Sequence, residues 1–353
     1  MTPSIFLRVS DGRLFLWDYR NHNQYELDIT YLQRIIDISS GKSTLDSPID
    51  EQVLKSGIFD KCEPAPWGWD CLSRIYHVGS QIPELTEGNE SKEDPYAGYI
   101  QYCMSLADKI PAMFHEPLGQ RVALPAPSLQ ALGSMSLRSA LWKRQTCRAF
   151  TSAPIDIQLV SDALYATFGA VHGTERTDLK RLGLVPVGYR RTSPSGGGLH
   201  PSEPYLIALR VNGLESGIYH YSSDKHCLTA VRSALTEGEL GHLLCRQDFC
   251  EAMAYGIFVT STFSKLWWKY PHSRAYRVAL LDIGCLAQTF QLVCTAQGVQ
   301  SWITGYFRDH KINELLKIDE ETGSVMFFLG AGIGNGPVAP EALAAARSAI
   351  HDQ

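Results

Sequence analysis

Two short apolar runs open the chain, Ile5-Phe6-Leu7-Arg8-Val9 and Leu14-Phe15-Leu16-Trp17, separated by Ser10-Asp11-Gly12-Arg13. An Asp-Gly pair between such runs is a strong turn signal and predicts a β-hairpin over 4–19. The spacing then changes to a helical period. Tyr31, Leu32, Ile35 and Ile36 share one face of a helix over about 29–40, which Gly41 stops. A second helix starts at Ser47-Pro48 and carries Ile49, Val53 and Leu54 up to Gly57, with proline suited to a first helical position.

A hairpin followed by short helices predicts a small winged-helix-like module over 1–83. It would bind a peptide or partner protein, or simply add to a dimer. Periodicity is then lost: 84–95 is acidic and polar, a solvated loop. Beyond it the chain is punctuated by Pro111, Pro117, Pro125 and Pro127, so 84–135 reads as a linker and an extended strap.

From Ser136 the pattern alternates between helix and strand. Leu137, Leu141 and Trp142 form one helix face, and Ile157, Val160, Leu164 and Phe168 another over about 156–168. Strands are predicted at 204–210, 217–221, 256–261 and 324–329. A long helix over about 273–297 carries Tyr276, Leu280, Ile283, Ala287, Phe290 and Cys294 at alternating spacings of four and three. It is apolar almost all round, which predicts a central, fully buried position, in the core or at a subunit interface. The whole of 136–353 is therefore expected to be an α+β domain, with helices packed on a sheet.

Composition narrows the class. The 353 residues are 44% hydrophobic and 20% charged, with a net charge of -5. That is globular protein with ample core, and the charge gives no support for binding nucleic acid or an anionic membrane. No apolar run of about 18 residues, as a spanning helix needs, stands out, and no signal peptide opens the chain. The nine cysteines are scattered with no C-x-x-C, which argues for reduced thiols and a cytoplasmic protein without structural zinc.

The candidate chemistry centres on Lys269-Tyr270, two proton-transfer groups just before the long helix. A helix N-terminus favours a neutral amine and an anionic phenol, and burial pushes a lysine the same way. Such a pair could take a weakly acidic proton near neutral pH. Arg144-x-Thr146-x-Arg148 could clamp a phosphate bidentately, or cap a helix in solvent. Pro194-Ser195-Gly196-Gly197-Gly198-Leu199-His200-Pro201 allows backbone to approach a planar ligand, with no G-K-[ST] of a Walker loop. Ile303-Thr304-Gly305-Tyr306-Phe307 adds a further close-approach glycine, or a turn.

In this order, over roughly 115–335, these segments resemble the nitroreductase-like flavoproteins, and within them the SagB/McbC-type dehydrogenases known as azoline oxidases. The Pro-Ser-Gly-Gly…His-Pro element and the Lys-Tyr pair are specific to that branch. Thr146 replaces an expected serine, Gln288-Thr289 stands where many relatives have Gln-Asn, and basic phosphate ligands near the C-terminus are not evident.

The resemblance implies a nitroreductase-like fold: a central mixed sheet flanked by helices in a domain-crossing homodimer. It implies non-covalent FMN held by Arg144, Thr146, Arg148, the 194–198 loop, His200, Gln288 and Gly305, with Lys269 or Tyr270 as catalytic base. The implied reaction converts thiazoline or oxazoline rings of a peptide or carrier-bound substrate to thiazole or oxazole, with O2 taking the electrons. A cyclodehydratase or nonribosomal synthetase would be the partner. An NAD(P)H-dependent nitro or quinone reductase and a catalytically silent binding subunit are the alternatives.

Overall fold

The computed structural model describes residues 5–42, 47–59, 67–82, 95–172 and 177–336. The chain divides into two compact units, 1–92 with 272–274, and 93–271 with 275–353. The acidic segment 84–94 lies outside the described residues.

In the N-terminal unit the hairpin forms as its Asp-Gly turn requires. Asp11 and Gly12 take φ of 52° and 72°, the double left-handed turn whose twist matches the strands. Strands β1 (Ile5–Ser10) and β2 (Arg13–Asp18) are joined by an unforeseen third, β3 (Asn23–Leu27), in an antiparallel meander. Helices α1 (Ile29–Ser39), α2 (Pro48–Lys55) and α3 (Cys71–Gly79) come after it. Ser47 caps α2 and the Asp50 side chain reaches back, a reciprocal capping box, with Pro48 in the first turn. Leu16, Ile35, Val53 and Ile58 form the core of this unit.

The second unit opens with α4 (Pro95–Leu106), where an extended strap was expected. The later part of that strap is extended: β4 (Arg121–Ala123) joins the sheet edge, and 125–129 is pinned along a helix by side chains. Next are the short helices α5 (Gln130–Ser134) and α6 (Leu137–Lys143), then β5 (Ile155–Asp156), α7 (Ile157–Phe168) and α8 (Thr177–Arg181). Asp162 of α7 does the pinning, accepting from Ser128 N, Ser128 Oγ and Leu129 N.

Strands β6 (Ser202–Ala208), β7 (Val211–Asn212), β8 (Gly217–Ser222) and β9 (Cys227–Ser233) come next, then α9 (Glu239–Leu243). The chain continues through β10 (Tyr255–Thr262), α10 (Phe263–Trp267), α11 (Arg274–Ala296), β11 (Gln300–Thr304), α12 (Asp309–Leu316) and β12 (Gly323–Gly332). The main sheet runs β11-β12-β10-β6-β8-β9-β4. Its described ladders are all antiparallel, which corrects the mixed sheet expected. Among the described residues, parallel pairing is confined to β5 with β7 and a bridge from Thr146 to Ser301.

Alternation along β6 explains the three layers. Leu206 and Ala208 pack toward Val160, Leu164 and Phe168 of α7 and Ile283, Leu286 and Phe290 of α11. Tyr205 and Ile207 point the other way, among Leu240, Leu243, Ile312 and Leu316 of α9 and α12. Helix α11 is central, but within the protomer it falls short of the full burial its composition predicts: Leu280 and Leu281 are 44% and 68% exposed. Other residues of the same helix face the core, because a helix on a sheet buries only one side. By length and hydropathy α11 also passes for a membrane span, contrary to the sequence reading. Half of that stretch is buried against the protein.

Candidate functional site

The triglycine loop is fastened to α11 by its flanking serines. Ser193 Oγ bonds Thr289 Oγ1 at 2.6 Å, and Ser195 Oγ donates to Asp282 Oδ2 at 2.5 Å. Asp282 Oδ1 accepts from Gly196 N at 3.1 Å, and Ser195 Oγ in turn accepts from His200 N at 3.0 Å. Burial raises the Asp282 pKa above the ordinary carboxylate value, against the lowering effect of those hydrogen bonds. Gly197 and Gly198 take φ of 62° and 65°, a conformation side chains disfavour. A Cβ on Gly196 would meet Val278 at 2.2 Å, and one on Gly197 the Tyr270 hydroxyl at 2.5 Å. A Cβ on Gly198 would meet nothing within 4 Å, so this glycine faces open space.

That space is a cavity of about 370 Å³. Pro194, Ser195, Gly197, Gly198 and His200 line it together with Lys269. Arg190, Arg191 and Ser193 line it too, as do Tyr99, Leu184, Val185 and Tyr189, which no sequence signal had singled out as site residues. The Tyr189 and His200 rings are parallel, with centroids 5.6 Å apart. His200 Nε2 is buried without a hydrogen-bond partner. Burial, with Arg191, Lys265 and Arg190 around it, pushes the imidazole pKa down to about 3, so the ring is neutral. His200 also adopts φ of 45°, a left-handed conformation that costs a non-glycine residue on the order of 1–3 kcal/mol.

Lys269 is 1% exposed. Its Nζ donates to Gly183 O at 3.4 Å and lies 5.5 Å from the Tyr99 ring centroid. Burial lowers its pKa, partly opposed by the nearby Cys103 thiol. The helix N-terminus proposed from the sequence is not the cause. Lys269 N and Tyr270 N both bond Leu266 O, so the pair closes α10 rather than opening α11.

The remaining sequence candidates stand apart from the cavity wall in the protomer. Arg144 caps the end of α6, Thr146 bridges to Ser301 at β11, and Arg148 N donates to Gly336 O. Gln288 lies on the exposed side of α11, and Gly305 succeeds β11 with Phe327 beside it. Tyr270 touches the loop at Gly197 and packs with Leu199, Leu266 and Ala279.

A glycine cradle, a neutral histidine and a buried lysine thus surround one cavity, carried on an antiparallel sheet sandwiched by helices. Residues 141–333 match the model of the nitroreductase family, whose members typically bind flavin. The chain belongs to that family, and within it to the SagB/McbC type. It is 24% identical over 267 residues to the trifolitoxin-processing protein TfxB of Rhizobium leguminosarum bv. trifolii, covering 74% of this chain and 69% of that one. It is 29% identical over 148 residues to the microcin B17-processing protein McbC of Escherichia coli, covering 39% of this chain and 52% of the relative. A crystal structure of a predicted nitroreductase from Anabaena variabilis superposes with a TM-score of 0.55 and 22% identity, over 78% of this chain and 49% of that one.

Proposed function

We propose that this protein is an FMN-dependent oxidase. It would dehydrogenate thiazoline or oxazoline rings in a peptide or carrier-bound peptide to thiazole or oxazole, with O2 as final electron acceptor. The observation that carries this reading is Lys269, a buried amine with a lowered pKa in the wall of a cavity floored by the triglycine loop. TfxB and McbC are processing proteins of peptide products, which fits a peptide substrate.

The residues present suit a flavin. Gly198 leaves room for a flat ring against the backbone, and His200 Nε2 offers an unused polar atom to its edge. When bound, the flavin supplies a two-electron acceptor for hydride. The ring carbon that loses a proton would give it to Lys269 Nζ or Tyr270 Oη. Leu184 and Val185 add apolar lining to the cavity, and Tyr189 and His200 would offer flat faces to the substrate.

Arg144, Thr146, Arg148, Gln288 and Gly305 are assigned to the flavin phosphate and ribityl chain across a homodimer interface. Exposed Leu280 and Leu281, on the same helix as Gln288, are the apolar surface a second copy would cover. A cyclodehydratase or synthetase would supply the azoline ring, and the cytoplasm is the expected compartment.

The test is oxidation of a thiazoline peptide by wild type, Lys269→Ala and Tyr270→Phe, with flavin content measured for each. Loss of two hydrogens from the peptide is expected for wild type. A fall of about 10²–10⁴-fold is expected for whichever variant removes the base, at unchanged flavin content. Full activity in both variants would contradict the assignment. Reduction of nitroaromatics by NAD(P)H with no peptide oxidation would favour the reductase alternative.

A further inference from the structure

We propose that Tyr99 on α4 is a positioning residue for the proton-transfer groups, its ring set over the Lys269 amine and its phenol beside Tyr270. The inference rests on the reading that Lys269 and Tyr270 move the substrate proton. It adds a third residue, from a helix that the sequence pattern hid in a strap.

Three anchors hold α4 against this segment. Tyr102 Oη donates to Lys269 O at 3.0 Å, and Trp268 Nε1 donates to Leu106 O at 3.3 Å. Cys103, fully buried, lies beneath Gly183, where a Cβ would come within 2.4 Å of Cys103 O and where φ is 70°. Only glycine allows that approach, and the Gly183 carbonyl it places is the one that accepts from Lys269 Nζ. The amine is therefore bracketed by a carbonyl, a thiol and the face of Tyr99.

Tyr99 lines the cavity and is the aromatic residue over Lys269. A ring face in that place attracts the ammonium form once the lysine has taken a proton, and it shields the free amine from water. The Tyr99 phenol neighbours Tyr270 and Cys103, and desolvation together with these neighbours raises its pKa above the ordinary phenol value. Tyr99 and Cys103 from α4 lie at the amine, Tyr270 is its chain neighbour, and His200, Arg190 and Arg191 line the same cavity.

Two variants separate the ring from the hydroxyl. Tyr99→Leu removes the shield, and acetylation of Lys269 by acetic anhydride, followed by peptide mass spectrometry, should accelerate by roughly tenfold or more. Tyr99→Phe keeps the ring, so labelling should stay slow while kcat for azoline oxidation falls roughly tenfold or more. KM should change little, and the pH profile of kcat should shift with the loss of the phenol. Unchanged Lys269 labelling in a folded Tyr99→Leu, or wild-type kcat and pH profile in Tyr99→Phe, would overturn the proposal. If wild type oxidises no azoline yet Tyr99→Leu unshields Lys269, the proposed reaction is overturned and the shielding geometry is upheld. Should Tyr99→Leu fail to fold, Tyr99→Phe alone decides through the pH profile.

Discussion

The Asp282 carboxylate of α11 holds the backbone of Gly196, accepting from its N–H at 3.1 Å while its other oxygen accepts from Ser195 Oγ. Helix α11 is seated by Ile283, Leu286 and Phe290 in the core, so this one side chain transmits a rigid position to the loop that floors the cavity. Hydrogen bonds to a charged group contribute about 1.5–3 kcal/mol each. Asp282→Ala should therefore weaken FMN binding by about tenfold or more, read by fluorescence titration. Wild-type affinity in a folded variant would show that the loop holds itself.

Gly197 and Gly198 make different demands. Both have positive φ, so alanine at either costs about 1–2 kcal/mol of stability. Only at Gly197 would the new methyl strike the Tyr270 hydroxyl. Thermal denaturation should show a larger loss for Gly197→Ala. Gly198→Ala should fold better yet bind flavin poorly, because its methyl projects into the open cavity. Equal flavin affinity for Gly198→Ala and wild type would place the ring elsewhere.

His200 provides a pH signature. Its folded pKa of about 3 lies below the ordinary histidine value of 6.5, chiefly through burial. A depressed base contributes stability above the unfolded pKa and loses it as pH falls. Its contribution should thus be complete above 6.5 and decline toward 3. The His200 imidazole signals in NMR should stay flat between about pH 5 and 8. A midpoint in that range would mean that the ring is hydrated.

The exposed Leu281 on α11 tests the two-chain site. Leu281→Arg should yield monomers by light scattering, and with them a loss of bound flavin, since Arg144 and Arg148 lie away from this protomer's cavity. Monomers that keep full flavin affinity would confine the site to one chain.

Much of this site was legible because its residues carry local signals. Three consecutive glycines and a Lys-Tyr pair are rare enough to be noticed without neighbours in space, and the hairpin announced itself through Asp11-Gly12. Tyr99 was not legible. Its helix begins at Pro95 after an acidic run, and Tyr96, Tyr99, Tyr102, Cys103 and Leu106 repeat at spacings of three and four that the surrounding prolines obscured. Tyr189 and Val185 reach the cavity by long-range folding, and no spacing in the chain encodes that. The cause of the lysine's lowered pKa was also misplaced. The sequence puts Lys269 near α11, but hydrogen bonding assigns it to the end of α10 and leaves burial as the main influence.

Flavin chemistry around Lys269 would be visible in the absorption spectrum of the purified protein. A yellow protein is expected, one that releases FMN on denaturation and bleaches when a thiazoline peptide is added without oxygen. A protein that is colourless, and stays so after incubation with FMN, would contradict that chemistry.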